Sequence, residues 1–557
     1  MIGICFTCCL NLYTYTDYSL YPRKMPEKFL KEIKPRKYQQ EIYETCKNKN
    51  CLVVLPTGIG KTLIALMLSI NRLREFPESK ILFLAPTRPL AEQHINYFKK
   101  HLPELFASLE LFTGKVSAKQ RRKLWQNSDI VFSTPQCVSN DLKNNLYDLS
   151  EVSLLIEDEC HRCLKNYAYT YVAKKYIEQS KNKRILGLTA SPGVERSRIK
   201  EIAKNLGIEA IEVRTRESED VKPYLQKLNF QIEKLDFPPE FQEIRTLLKE
   251  IYDKKVEELQ NRKLLFGRVN KVTLLDLQKK IMRMISTGNK HFNILAGASV
   301  CAQAIKLQHA LELLETQTLL SFQSYLQEIF EQAKQGKSKA VQKLIKQPEF
   351  NQAYIKTTEL LARKIENPKL AKLKEIIEQE FKEANQKNKT KRIIVFAQFR
   401  NTVTTICKTL NSIEGINARV FVGQAKKASR TGKDSESTGL SQKEQQQMIR
   451  DFSFGKINIL CATSIGEEGL DIPEVSAVIF YEPIPSAIRQ IQRRGRTARL
   501  KPGKLIILMN KATRDESYYW AAFHKEKKMH RSLNHIKEEL DGNADKESIK
   551  KAQKTLF

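Results

Sequence analysis

Short runs of consecutive apolar residues, separated by longer segments of helical period, set the pattern of this chain between residues 51 and 213. The runs lie at residues 52–55, 81–85, 129–133, 154–156 and 184–188. A strand that is apolar at every position is covered on both faces. Alternation of such strands with helices predicts a parallel sheet packed between helices. The same rhythm returns at residues 393–396, 457–460, 477–481 and 505–508, so two α/β units are expected. Between them the period changes. Residues 240–347 hold no proline and four glycines, and apolar residues recur three or four apart, as at Ile281, Met284 and Ile285. This predicts an all-helical insert. The expected division is an extension at 1–24, a first α/β domain at 25–225, the insert at 226–366, a second α/β domain at 367–520 and a basic helical tail at 521–557. Residues 425–438, rich in Lys, Ser and Gly, read as a flexible loop.

Composition narrows the class. The 557 residues exceed one core, and 41% hydrophobic with 28% charged residues exclude a mainly disordered, collagen-like or membrane-embedded chain. No apolar stretch reaches the roughly 18–20 residues needed to cross a bilayer. The charge is unusual: 95 Lys and Arg against 63 Asp and Glu leave +32, which points to a polyanionic partner. Eleven scattered cysteines suit free thiols in a reducing cytosol. Cys160 and Cys163 form a C-x-x-C with no second pair at zinc-ribbon spacing, so no metal is expected there. Residues 1–24 meet their first charge at Asp17 and lack the basic start of a signal peptide. A chain starting at Met25 would keep every motif below and is expected to be fully active.

The strongest chemical signal is Pro56-Thr-Gly-Ile-Gly-Lys-Thr62, between the run at 52–55 and a helical pattern. Thr57, Gly58, Ile59 and Gly60 can curl so that backbone N–H groups face phosphate oxygens. Lys61 can then neutralise the β- and γ-phosphates, and the Thr62 hydroxyl can reach Mg²⁺. Leu55 stands where the general pattern has its first glycine. Asp158-Glu-Cys-His161 follows the apolar run at 154–156. Its two adjacent carboxylates suit Mg²⁺ held through water by Asp158 and an attacking water polarised by Glu159. A third motif, Gln490-Ile-Gln-Arg-Arg-Gly-Arg-Thr-Ala-Arg499, lies in the second unit. Arg496 and Arg499 are three apart, and arginine's planar fork suits a γ-phosphate. Together the motifs point to an NTPase whose site is shared by two domains.

Over about residues 33–515 the chain resembles superfamily 2 DECH-box helicases, which implies two RecA-like domains, ATP and Mg²⁺. Arg36-Lys-Tyr-Gln39 looks like the adenine-reading Q motif, with Gln39 on the base edge. Thr189-Ala-Ser191 looks like the segment linking hydrolysis to strand movement. Thr87 and Arg88, Thr113 and Gly114, and Thr134 and Gln136 fall in segments resembling strand-contacting motifs of the first domain. Gln398, Arg400 and Thr463 do so in the second. The resemblance also implies nucleotide contacts for Gly469 and Asp471, and catalytic roles for His161 and Gln492. Phe421-Val-Gly-Gln424 followed by Gly439-Leu-Ser-Gln-Lys-Glu-Gln445 is most similar to the archaeal Hef and Fanconi-anaemia M branch. Dicer-type and RIG-I-like helicases share an insert in the same place. Asn367 stands where relatives often have histidine, and no Glu-Arg-Lys nuclease core is present, so no nuclease activity is expected.

The function expected from this resemblance is an ATP-dependent helicase or translocase on forked or branched DNA, moving 3′→5′ in fork repair or recombination. It would work in the cytoplasm at the nucleoid, beside a replication or repair protein and with no membrane partner. Residues 261–290 carry eight basic residues against one acid, Asp276, so Lys271, Lys279, Lys280 and Arg283 are expected to contact a duplex arm. Two readings stay open beside this one. One is an ATPase stimulated by double-stranded RNA; the other is a nucleic-acid scaffold with a silent ATPase fold.

Overall fold

A computed structural model describes residues 33–554 except 104–105, 289–290, 337, 387–390, 424–438, 464–471, 487–488, 490, 492, 494–496 and 498–501. Gly469, Asp471, Gln492, Arg496 and Arg499 therefore lie outside the described residues, as do residues 1–24.

The first α/β unit forms seven strands: β1 Cys51–Val54, β2 Lys80–Leu84, β3 Leu109–Phe112, β4 Ile130–Ser133, β5 Val152–Asp158, β6 Ile185–Thr189 and β7 Ala210–Val213. Every pairing is parallel, in the order β3-β4-β2-β5-β6-β1-β7. Strands β1, β2, β4, β5 and β6 are buried at every residue, which is why their sequences are mainly apolar, with polar residues such as Ser133, Asp158 and Thr189 at their carboxyl ends. Helices α1 Lys37–Asn48, α2 Lys61–Glu75, α3 Arg88–His101, α4 Ala118–Asn127, α5 Pro135–Lys143, α6 Ala168–Gln179 and α7 Arg196–Asn205 alternate with the strands. Two apolar clusters fill the faces of the sheet, one around Leu84, Val131 and Leu155, the other around Phe83, Phe132 and Ile156. Because all strands run one way, the loops after β1, β2, β4, β5 and β6 open on one edge.

The next strand departs from expectation. Residues placed in the insert form β8, Leu228–Leu235, which pairs in parallel with residues 503–510 of the second sheet. Its alternating apolar and polar residues suit an edge strand. The helical bundle therefore begins only at Pro239, with α8 Pro239–Asn261, α9 Lys271–Ser286, α10 Phe292–Thr316, α11 Leu319–Lys334, α12 Lys339–Leu344 and α13 Pro348–Ala362. Phe241, Leu248, Leu314, Phe322 and Phe350 sit in its main core. After α14 Pro368–Gln386 come β9 Ile393–Phe396, α15 Arg400–Leu410, β10 Ala418–Phe421, α16 Gln442–Ser453, β11 Ile459–Ala462, β12 Ala477–Phe480 and β13 Gly503–Asn510. With β8 these strands make a six-stranded sheet, ordered β10-β11-β9-β12-β13-β8.

The expected tail is likewise not separate. Residues 521–554 continue a helix that starts in the second domain, α17 Arg514–Lys554, and it packs onto the first. The whole spans about 60 Å at 1.5 Å per residue. Among the described residues no helix is long and apolar enough to cross a membrane.

The insert is joined to the second domain through the carboxyl end of α10. A helix leaves its last carbonyls without intrahelical donors. Here the second domain supplies them. Lys369 Nζ donates to Thr316 O at 2.7 Å, Asn367 Nδ2 to Gln317 O at 3.1 Å, and Asn510 Nδ2 to Glu315 O at 3.1 Å. Lys369 also pairs with Asp515 at 2.8 Å, both side chains being fully buried. Burial pushes the Asp515 carboxyl up to about 6 even with Lys369 beside it. Asn367 further accepts from Lys369 N at 3.1 Å, so its position is structural.

Removing one member of a buried pair strands the other charge, at a typical cost of about 3–5 kcal/mol. Asp515→Ala is expected to lose stability on that scale in chemical denaturation. Lys369→Met with Asp515→Leu should recover most of it. Equal stability of Asp515→Ala and the parent would contradict the role given to this pair.

Candidate nucleotide and nucleic-acid site

The loop after β1 reaches α2 through two glycines in left-handed conformation, Gly58 at φ 83° and Gly60 at φ 89°. Such backbone favours glycine, and Gly60 needs it twice over, because an added Cβ would collide with Gln39 Nε2. Gln39 lies in the first turn of α1 and donates to the carbonyls of Ile59 and Gly60, both at 3.3 Å. Its Oε1 accepts from Arg36 N at 2.9 Å, and Tyr38 Oη donates to Ile59 O at 2.5 Å. The Arg36 guanidinium donates to Tyr38 Oη and lies 5.1 Å from the Tyr224 ring centre. The segment 36–39 thus braces the loop from behind. Lys61 Nζ donates to Leu55 O at 3.0 Å across the mouth of the curl.

Strand β5 delivers Asp158 to the same edge, one strand from β1 across β6. Its carboxylate is almost buried and meets His94 Nε2 at 2.9 Å. Burial would raise this carboxyl; the His94 hydrogen bond and the Lys61 charge outweigh it and hold the group below the usual carboxylate range. The chain then turns sharply, with Glu159 at φ 52°. His161 Nδ1 lies 3.2 Å from Glu159 Oε2 and 3.2 Å from Thr189 Oγ1, the latter at the end of β6. Thr57 Oγ1 is buried with no hydrogen-bond partner among the described residues. A nearly buried carboxylate, a helix N-terminus, an ammonium and hydroxyls at one edge form a donor set that fits a magnesium–nucleotide complex. Mg²⁺ typically takes one or two carboxylates plus phosphate oxygens rather than an all-protein cage.

Residues 36–199 match the DEAD/DEAH box helicase family, and residues 368–501 match the helicase conserved C-terminal domain. Residues 240–364 match a helical bundle described for an ATP-dependent RNA helicase. The fold is similar to the crystal structure of the Pyrococcus furiosus Hef helicase domain, with TM-score 0.67 and 40% identity over 88% of this chain and 98% of that one. This chain belongs to the Hef helicase family. A Methanocaldococcus jannaschii protein named as an ATP-dependent RNA helicase is 38% identical over 91% of this chain and 61% of its own length. The ATP-dependent DNA helicase mph1 of Neurospora crassa is 33% identical over 87% and 41%, and the mouse Fanconi anemia group M protein homolog 32% over 87% and 25%. The chain thus spans between 25% and 61% of these curated relatives.

In this Hef-type helicase the other motif residues lie at loop and helix starts. Thr87 precedes α3, where Arg88 bonds Glu92 at 2.6 Å. Thr113 is buried after β3, and space beside Gly114 is open. Thr134 precedes α5, with Gln136 exposed in its first turn. In the second domain Arg400 opens α15 and donates to Gly423 O at 3.1 Å, and Thr463 N donates to Phe421 O at 3.2 Å. Gln398 N donates at 2.5 Å to Glu482, whose carboxyl is pushed up to about 8 by burial.

Three residues escaped the sequence reading. His94 sits 64 positions from the carboxylate it contacts. Glu482 carries no motif. Arg493, inside the arginine-rich segment, is completely buried, 4.7 Å from the Phe396 ring centre and 5.5 Å from that of Phe480. Lys271 carries an ion pair that its sequence does not show. Lys271 is held by Glu312 at 2.5 Å, and hydrogen bonds from His309, Lys271 and Tyr518 overcome burial to keep Glu312 at about 2. The Lys271 side chain is still 45% exposed beside that pair, Lys279 is 80% exposed and 3.5 Å from Asp276, and Lys280 and Arg283 are exposed on α9.

Partners that orient metal-binding groups typically contribute about ten- to hundredfold in affinity or activity. His94→Ala is therefore expected to need that much more Mg²⁺ for half-maximal ATP hydrolysis, with metal-free nucleotide affinity unchanged. A parental Mg²⁺ midpoint would rule the contact out as functional. Glu482 gives a pH prediction. The native state keeps a proton that an unfolded glutamate, with pKa about 4.3, releases. Stability from this group is full below about pH 4 and declines as pH rises toward about 8, by at most about 1.4 kcal/mol per unit. Glu482→Gln should flatten the fall in melting temperature between about pH 5 and 8. An unchanged slope would show that Glu482 is ionised in the native state.

Proposed function

We propose that this helicase acts on forked or branched DNA, with the two α/β domains as motor and the insert holding a duplex arm. In this reading Arg36 and Gln39 read the adenine, and Lys61 grips the β- and γ-phosphates. Thr62 and Asp158 hold Mg²⁺, the latter through water, and Glu159 polarises the attacking water. Bound Mg²⁺ supplies charge neutralisation at the phosphates. Arg496 and Arg499 act as cations from the second domain, Gln492 takes part in catalysis, and Gly469 and Asp471 contact the nucleotide. Strand contacts come from Thr87, Arg88, Thr113, Gly114, Thr134, Gln136, Gln398, Arg400 and Thr463, moving 3′→5′. Fork repair or recombination at the nucleoid, with a replication or repair protein nearby, follows from such a substrate.

The observation carrying this reading is the exposed basic face of α9, with Lys279, Lys280 and Arg283 outside the motor domains. The name of the Neurospora crassa relative supports DNA as the strand. The name of the Methanocaldococcus jannaschii relative favours the second reading, an RNA-stimulated ATPase. Hydrolysis measured with forked DNA, single strands, blunt duplex DNA and duplex RNA separates the two. Forked DNA should stimulate most; greatest stimulation by duplex RNA would overturn the proposal. Replacing Lys279, Lys280 and Arg283 with alanine should flatten the salt dependence of fork binding by roughly one unit of log–log slope per lost contact. Single-strand-stimulated hydrolysis should persist. A parental slope would mean that this face is only solvated.

A further inference from the structure

Helix α17 begins in one half of the molecule and ends in the other. At its root lies Asp515 in the buried pair with Lys369; Arg514 meets Glu315 at 2.8 Å, and Tyr518 Oη donates to Glu312 at 3.0 Å. Its first turns therefore belong to the body made by the insert and second domain. Further on, Lys525 Nζ donates to Pro485 O at 2.7 Å. Roughly 21 Å beyond Asp515, at 1.5 Å per residue, the helix reaches the first domain. Met529, Leu533 and Ile536 recur at helical spacing, are 1%, 0% and 2% exposed, and join a core cluster with Ala190, Ile199 and Ile202. On the rim, Glu539 pairs with Arg196 and, at 2.9 Å, with Lys200.

Polar contacts accompany this cluster, among them Ser532 Oγ donating to Val194 O at 3.4 Å. Ser191 Oγ donates to Met529 Sδ at 2.8 Å. Ser191 N in turn donates to Thr189 Oγ1 at 3.1 Å, and Thr189 Oγ1 meets His161, which meets Glu159. An unbroken series of contacts thus runs from the carboxylate pair at the nucleotide edge to α17. Ile491, within the arginine-rich segment of the second domain, packs into the same cluster. Methionine is unbranched and polarizable, so it can keep contact while its neighbours shift by small amounts.

We infer that α17 is a strut coupling the nucleotide edge of the first domain to the insert and second domain, with Met529 the positioning residue beneath Ser191. A displacement of the 189–191 segment is carried along the helix to the Lys369–Asp515 root rather than absorbed in a loop. The inference rests on ATP-dependent helicase activity and not on the branched-DNA reading, so it is tested on whichever substrate stimulates hydrolysis most.

The measurement is ATP hydrolysed per base pair opened by the full chain. Met529→Asp should raise this ratio by about three- to thirtyfold, the scale of coupling changes along such networks. Met529→Leu keeps volume and apolar character but removes the Sδ acceptor, so it should raise the ratio by a smaller factor than Met529→Asp. Glu539→Lys lies on the surface and cannot empty the core; it should raise the ratio by a smaller factor. Adding Arg196→Glu to Glu539→Lys should lower it again. Parental ratios in both Met529→Asp and Glu539→Lys would overturn the strut. Should Met529→Asp fail to fold, the Glu539→Lys ratio and its reversal decide alone.

Discussion

The carboxyl end of α10 is the constraint on which much else depends. Three of its terminal carbonyls lie in the interior, where an unmet acceptor costs about 1–3 kcal/mol. They are met by Lys369, Asn367 and Asn510, all from the second domain. Lys369 in turn could not be buried alone, and Asp515 answers it. One set of hydrogen bonds therefore joins the bundle to the second sheet and roots α17 in the same place. The insert cannot swing as an independent arm without exposing or stranding these groups.

The nucleotide edge is organised by a different economy of charge. Asp158 is almost buried, an environment that favours the neutral acid. His94 and Lys61 reverse that preference, so the carboxylate stands ready as an anion where a cation can approach. Glu157, one residue earlier on the same strand, is also buried, and burial pushes its carboxyl well above the usual range. Neighbouring carboxyls on one strand are thus shifted in opposite directions, because Asp158 has an imidazole and an ammonium beside it. The second domain holds a comparable case in Glu482, a protonated acid accepting from the backbone of Gln398.

Family membership brings these features into one frame without assigning each role. The match to the Hef helicase domain extends over nearly all of that domain, so the arrangement of two sheets around a bundle is a family property. What distinguishes this chain lies in particular side chains. Asn367 serves as a cap, and half-exposed Lys271 pairs with buried Glu312. The exposed basic residues of α9 remain available to a polyanion.

The sequence by itself determined the two parallel sheets, the helical bundle and the phosphate loop. Continuous apolar runs, a change of hydrophobic period, and glycines beside Lys61 are local signals, and local signals survive in one dimension. Strand β8 carried such a signal in its alternation but was assigned to the bundle, since a strand shows its pattern and not the sheet it joins. Only the tertiary structure decided that His94 serves Asp158, that Lys271 is already paired, and that the tail crosses to the first domain. Those facts are distances between residues tens to hundreds of positions apart. A side chain's chemistry is written in its identity, but the partner that settles its charge or its burial is set by how the chain closes on itself.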